Sequence, residues 1–310
     1  MTVAERSLPA LLVRFDTWKR SIIGPRSSRE LKGEELSTNQ LNSFSYKVLP
    51  PTDRDVWLTV VGADTNVTSK WVIETSRDQA SIQFGVASDL ANSHGNAKVK
   101  ETYRQMSGWV RNRSAENVIW VYALINAVDQ VIQHSIARFL EPEDDIEFED
   151  TRIQIDQSFV RRDEHVVFWR EWMRNELMGR MHRGVTFIPD TWRARNHPFI
   201  KKYEIHPGLI DLNDLFTRHT GFFQSHKVAG LQIADICAHI CYRHHRGEER
   251  LPAYWNLRPR IVCRGGDRVT LIHLDEKSLH RDDPKAHVGI FDIEEWKRRA
   301  DAVRESRSKK

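Results

Sequence analysis

Phe222-Phe-Gln-Ser-His-Lys-Val-Ala-Gly-Leu-Gln-Ile-Ala-Asp-Ile-Cys-Ala-His-Ile-Cys-Tyr-Arg-His-His245 decides how this chain is read. From Val228 onward nearly every residue is apolar or small, which predicts a helix buried on most sides. Asp235 stands in the middle of it. At about 100° per residue it shares a face with Leu231, Gln232, His239 and Tyr242, so its carboxylate is expected where the helix packs. An unpaired buried carboxylate costs several kcal/mol, so Asp235 calls for protonation, a cationic neighbour or a metal ion. A buried ion pair is the plain reading. A metal site requires further carboxylates to converge on this one.

Working outward, the 310 residues are 40% hydrophobic with ten Trp, enough for a sizeable core. Three cysteines, Cys237, Cys241 and Cys263, are too few for a disulfide framework and fit a reducing cytoplasm. The N-terminus has no basic start followed by an apolar core, and the apolar run Val118 to Val128 is too short to span a bilayer, so neither secretion nor a membrane partner is expected. A net charge of +4 permits a polyanionic partner without demanding one.

In chain order, apolar residues at helical spacing predict a helix over Leu8 to Ile23, stopped by Gly24-Pro25. A second helix starts near Ser37 or Thr38, which leaves Glu30 between the two. Strands are predicted at Val56 to Val61, Lys70 to Thr75 and Ala80 to Gly85. Helices follow over Glu101 to Val110 and Ala115 to Leu140, the second with a stripe that includes Val118, Trp120, Val121 and Leu124. The acidic run Glu141 to Asp150 reads as a solvated loop, because the spacing and Gly of a calcium loop are missing. Next, Ile153 and Ile155 alternate in a short strand that puts Asp156 at its carboxyl end, where open α/β sheets present ligands. A helix from Glu164 to Met181, strands at Gly184 to Pro189, Phe199 to Ile205 and Arg268 to Leu274, and a charged helix from Asp292 to Arg304 complete an α/β pattern. Residues 1–292 are read as one domain with a helical insertion near 101–140, and residues 293–310 as a charged helix with a basic tail.

Glu30-Leu-Lys-Gly, Ile155-Asp-Gln-Ser-Phe and Ser225-His-Lys followed by Gly230-Leu-Gln-Ile-Ala-Asp235 resemble the successive signatures of the family called domain of unknown function 3800, over residues 8 to about 260. The last piece is the most specific. The resemblance implies a ribonuclease H-like mixed sheet flanked by helices and a metal-dependent nuclease acting on DNA or RNA. It implies Glu30, Asp156 and Asp235 as catalytic carboxylates and metal ligands. Such oxygen donors suit Mg²⁺ or Mn²⁺. Two ions about 4 Å apart would activate water and stabilise the leaving oxygen. Lys227, or Arg193 and Arg195 in the loop Asp190 to Pro198, would hold the substrate backbone, and Ser225 and Gln232 would support the ligands. A proton shuttle at His239 competes with the plainer reading of a packed core histidine.

The chain departs from that family in one respect: nothing before Glu30 resembles the family's first strand with Asp-Glu-Ser-Gly, whose Asp is a metal ligand. The chain is therefore expected to begin inside the following helix, either because the true start lies upstream or because the member is shortened. Asp64, in a turn-like Gly-Ala-Asp-Thr-Asn, is a weak substitute. A non-catalytic nucleic-acid-binding or regulatory protein of the same fold is the rival expectation. Zinc at Cys237, Cys241, Cys263 and His244 or His245 is a further alternative, against which stands the tendency of helix cysteines to act as small hydrophobes.

Overall fold

The computed structural model describes residues 1–3, 7–25, 27, 29–53, 55–63, 70–93, 95, 97–139, 152–157, 170, 172–174, 176–177, 202–206, 209–246, 251–261 and 270–272. The expectations for 141–150, 184–189, 190–198 (with Arg193 and Arg195) and 292–310, and those for Asp64 and Cys263, lie outside these residues. The chain divides into two compact units: residues 1–60, 127–170 and 177–270, and residues 61–126, 171–176 and 271–310. It mixes helices, which predominate, with short strands, so the mixed α/β class holds at that level.

The first unit starts with β1 (Thr2–Val3), which pairs antiparallel with β2 (Val56–Trp57). The chain therefore opens in a strand and not, as expected, inside a helix. Helix α1 (Leu8–Ile23) has Pro at its first turn, buries Leu11, Phe15 and Trp18 along one face, and ends at Gly24 with φ +88°, a conformation that favours glycine. Helix α2 (Thr38–Lys47) starts at Ser37 through a capping box with Gln40 and buries Leu41 and Phe44. The Trp18 ring meets Phe44 edge-on at 5.1 Å.

Later in the chain, β4 (Ile153–Asp156) pairs parallel with β7 (Thr220–Phe223), setting Asp156 opposite Phe223. Between them, β5 (Glu204–His206) pairs with β6 (Leu209–Ile210), and α6 (Asn213–Arg218) leads into β7. Within the predicted strand Phe199 to Ile205, residues 202 and 203 are helical and 204 and 205 belong to β5, while 199–201 lie outside the described residues. Helices α7 (Ala229–His245) and α8 (Pro252–Leu257) close the unit, with Ile233, Ile236, Cys237, Ile240 and Cys241 joining the α1 and α2 side chains in one core.

The second unit holds β3 (Val61–Ala63), which pairs with β8 (Thr270–Ile272), and helices α3 (Lys70–Ser93) and α4 (Ala97–Arg111). Helix α5 (Ala115–Phe139) contributes its residues up to 126. The strands predicted at Lys70 to Thr75 and Ala80 to Gly85 are both helical, the first opening α3 and the second within it. Ala80, Ser81 and Ser88 are buried at helical spacing, and Ser81 and Ser107 exchange hydroxyl-to-carbonyl hydrogen bonds of 3.1 and 2.7 Å with α4. Helix packing here overrides the β-propensity of a short run. The rings of Phe84, Trp109 and Tyr122 meet Trp172 edge-on at 5.1, 6.1 and 5.7 Å, whereas Trp120 of the predicted stripe is 51% exposed. Residues 170, 172–174, 176 and 177 are helical, as expected within 164–181.

Instead of one mixed sheet, the described strands form four two-stranded ladders, of which β4–β7 is parallel. No helix among the described residues is long and apolar enough to cross a membrane.

Candidate functional site

The site lies in the first unit, where the carboxyl ends of β4 and β7 meet α7 and the segment after α1. Phe223 ends β7, and a 3-10 turn of Ser225–Lys227 carries the chain into α7. The first turn of α7 lies against β4: a Cβ on Gly230 would sit 4.0 Å from Gln154 Oε1. Asp156, half-buried, thus ends the strand that this helix crosses.

Gln232 holds the surrounding segments together. Its Nε2 donates to the carbonyls of Ser225 (3.0 Å) and His226 (3.4 Å), while its Oε1 accepts from Lys19 Nζ (3.0 Å) and the Leu31 N–H (3.4 Å). One amide side chain therefore fixes the 3-10 turn, α1 and the Glu30 segment. Glu30, half-buried, accepts a hydrogen bond from the Ser225 hydroxyl, 195 residues away in sequence. Burial pushes the Lys19 ammonium below its ordinary range, and the charges of Asp16 and Glu30 partly offset that push. Nothing in the periodicity of α1 separates Lys19 from any other polar residue on an amphipathic helix.

Asp235 corrects the first expectation. The buried residues of α7 are Gln232, Ile233, Ile236, Cys237, Ile240 and Cys241, and Asp235 projects roughly opposite that arc, exposed to solvent. The helix is amphipathic rather than buried on most sides. Ala234, Ala238 and Gly230 make its sequence look uniformly apolar, yet small residues lose little by facing water. The Asp235 carboxylate accepts the Gly33 N–H at 2.8 Å, so among the described residues a backbone donor and solvent balance it.

Gly33 can make that bond because it lies directly on α7. A Cβ there would come within 2.4 Å of His239 Cβ and 3.2 Å of the Ile236 Cα, both too rigid to yield. Gly33→Ala is expected to lift the Gly33–Glu35 turn from the helix, at a cost of about 1–3 kcal/mol. Thermal unfolding would register the loss; an unchanged Tm would contradict this packing. His239, half-buried under Gly33 and 6.1 Å from the Tyr242 ring, is mainly a packing residue in this arrangement.

The structure therefore joins Glu30 to Ser225, and Ser225 to Gln232, beside the end of β4, and joins Asp235 to Gly33 on the next turn of α7. Lys227 is exposed on the 3-10 turn. Among the described residues, no three His, Cys, Asp or Glu side chains are grouped to hold one metal ion.

Cys237 and Cys241 are buried free thiols in the α7 core. Burial is the first cause that raises both above the ordinary thiol range, Cys241 to about 12. A raised folded-state pKa contributes stability that is fully present below the unfolded value near 9 and is lost as pH climbs through the folded value. Stability is accordingly expected to fall as pH rises above about 9, and both thiols should resist alkylation at pH 8 until the protein unfolds. Rapid labelling of the native protein would refute the burial.

Comparison with known proteins finds no matching family model, no matching curated protein and no matching solved structure.

Proposed function

We propose that this chain is a metal-dependent nuclease of ribonuclease H-like descent, resembling the domain of unknown function 3800 family, with Glu30, Asp156 and Asp235 as its carboxylates. The observation that carries this reading is the hydrogen bond from Ser225 to Glu30, which ties an acid from the start of the chain to the turn after β7, beside the strand that ends in Asp156. In a parallel α/β arrangement, ligands bind outside the carboxyl ends of the strands.

The donor chemistry fits a hard cation. Mg²⁺ and Mn²⁺ accept carboxylate oxygens, keep much of their water and need only one or two protein carboxylates together with substrate phosphate. Glu30 and Asp156 are the residues that would hold such an ion, and Asp235 follows on α7, three residues after the Gln232 that anchors the Glu30 segment. When bound, the ion supplies charge neutralisation at the scissile phosphate and a more acidic water. Ser225 fixes the Glu30 carboxylate, and Gly33 fixes that of Asp235. The Lys19 ammonium, held by Gln232, adds positive charge beside Glu30 and limits repulsion between the acids. Lys227, exposed at the mouth, and Arg193 and Arg195 are the proposed contacts to the nucleic-acid backbone.

The test is incubation of purified protein with single- and double-stranded DNA and RNA plus Mn²⁺ or Mg²⁺. Cleavage is expected, EDTA should stop it, and Asp156→Asn and Asp235→Asn should each slow it. A ligand worth about 3 kcal/mol corresponds to roughly 150-fold in rate. Cleavage untouched by Asp235→Asn would remove that residue from the mechanism. Binding without cleavage in any of the metals would favour the non-catalytic nucleic-acid-binding reading.

A further inference from the structure

Beyond Asp235 the exposed face of α7 continues into a cavity of ≈ 430 Å³ lined by Glu34, Leu36, His239, Tyr242, Arg243 and Arg246. Among the described residues that line it, two arginines outnumber one acid, so the lining carries a net positive charge. The Tyr242 ring is 54% exposed, and the Arg246 guanidinium orients it, donating to the phenol oxygen at 2.9 Å with its carbon 5.4 Å from the ring centroid. Arg243 is held by a 3.0 Å hydrogen bond to Thr38 at the start of α2. Basic residues near a helix carboxyl end also complement the helix dipole, which accounts for the charge of Arg243 and Arg246. The dipole does not account for an exposed aromatic ring beside them in the lining of a cavity.

We infer that this cavity binds a single-stranded nucleic-acid segment, with Arg243 and Arg246 on backbone phosphates and an unpaired base stacked on Tyr242. Arginine forks suit phosphate oxygens, and an exposed ring beside cationic groups is the recurring platform for unstacked bases. A duplex keeps its bases stacked internally and offers no face to Tyr242, so a single strand is the occupant this chemistry selects. The cavity adjoins the candidate centre: His239 lies one turn beyond Asp235, and Glu34 follows the Gly33 that donates to Asp235. A strand seated there would run toward the carboxylates. The inference rests on the nuclease reading for its nucleic-acid substrate, but binding can be measured apart from cleavage.

The experiment is fluorescence anisotropy of a labelled single-stranded oligonucleotide against the full chain in EDTA. Arg246→Glu, Tyr242→Ala and Asp235→Asn are compared with Arg218→Glu, which makes the same charge change in an exposed ion pair with Asp214 on α6. Tyr242→Ala should weaken single-strand binding roughly 5- to 150-fold. Arg246→Glu should weaken it at least tenfold and flatten the salt dependence by about 0.7 in slope for each phosphate that is no longer neutralised. Arg218→Glu should leave affinity as it is, and a duplex of the same sequence should be little affected by Tyr242→Ala. Equal losses from Arg246→Glu and Arg218→Glu, no effect of Tyr242→Ala, or no binding by the unaltered chain would each overturn the site. Asp235→Asn separates the two readings: full binding with lost cleavage supports both, while full binding by a chain that never cleaves keeps this cavity and discards the nuclease.

Discussion

Gln232→Leu is expected to unfold the candidate site and to destabilise the protein by about 3 kcal/mol. The side chain is 3% exposed and makes four hydrogen bonds to three separate stretches of chain. Leucine nearly preserves the volume but leaves the Leu31 N–H and the Ser225 carbonyl without their partner, at roughly 1–3 kcal/mol for each buried group stranded. In a unit of this size that corresponds to a drop in Tm of roughly 6–12 °C. Gln232→Glu makes the sharper comparison: it keeps the acceptor that serves Lys19 and Leu31 and turns the donor that serves Ser225 and His226 into a second acceptor. Differential scanning calorimetry should find both variants less stable. Any nuclease activity should fall in both, because the turn that carries Ser225 loses its anchor and releases Glu30. Wild-type stability in Gln232→Leu would show that this hub is dispensable.

Arg260→Met should cost a similar or larger amount, about 3–4 kcal/mol. The guanidinium is 5% exposed and donates to the carbonyls of Pro50, Asp53 and Val56, while Arg14 pairs with the Asp53 carboxylate. Burial lowers the pKa of Arg260 and the nearby Asp53 opposes that shift, so the group is a desolvated cation held by the segment it organises. Methionine fills the space and satisfies none of these carbonyls. The segment over 50–56 would lose its clamp, and with it the register of β2 against β1 and the Leu58–Arg260 backbone bond of 2.9 Å. Urea unfolding should show a lower midpoint at nearly constant slope. Arg260→Lys should rescue little, because one ammonium cannot span carbonyls that a planar fork reaches together.

These residues also mark how far the sequence could be read. The α1 helix and its Gly24 stop, the Ser37 start of α2, the strand that ends in Asp156 and the helix through Asp235 all depend on short-range signals: apolar spacing, a capping pair, alternation, a glycine at positive φ. Such signals misled at Lys70 to Gly85. A few β-branched residues suggested strands there, and the pairing of Ser81 with Ser107 favours a long helix instead. They misled again on the orientation of Asp235, because alanine and glycine carry no information about which face of a helix is covered.

The sequence by itself determined both ends of α1 and the starts of α2 and α7, since caps, breakers and periodicity act within a few residues, whereas Glu30, Asp156 and Asp235 entered as catalytic candidates through a family resemblance. Tertiary structure alone decided that Gln232 joins Lys19, Leu31 and Ser225, that Arg260 clamps the 50–56 segment, and that Asp235 faces solvent against the Gly33 amide. Each of those bonds links distant parts of the chain or closes on a backbone group. Hydrogen bonds of that kind depend on where whole segments come to rest, which no local pattern encodes.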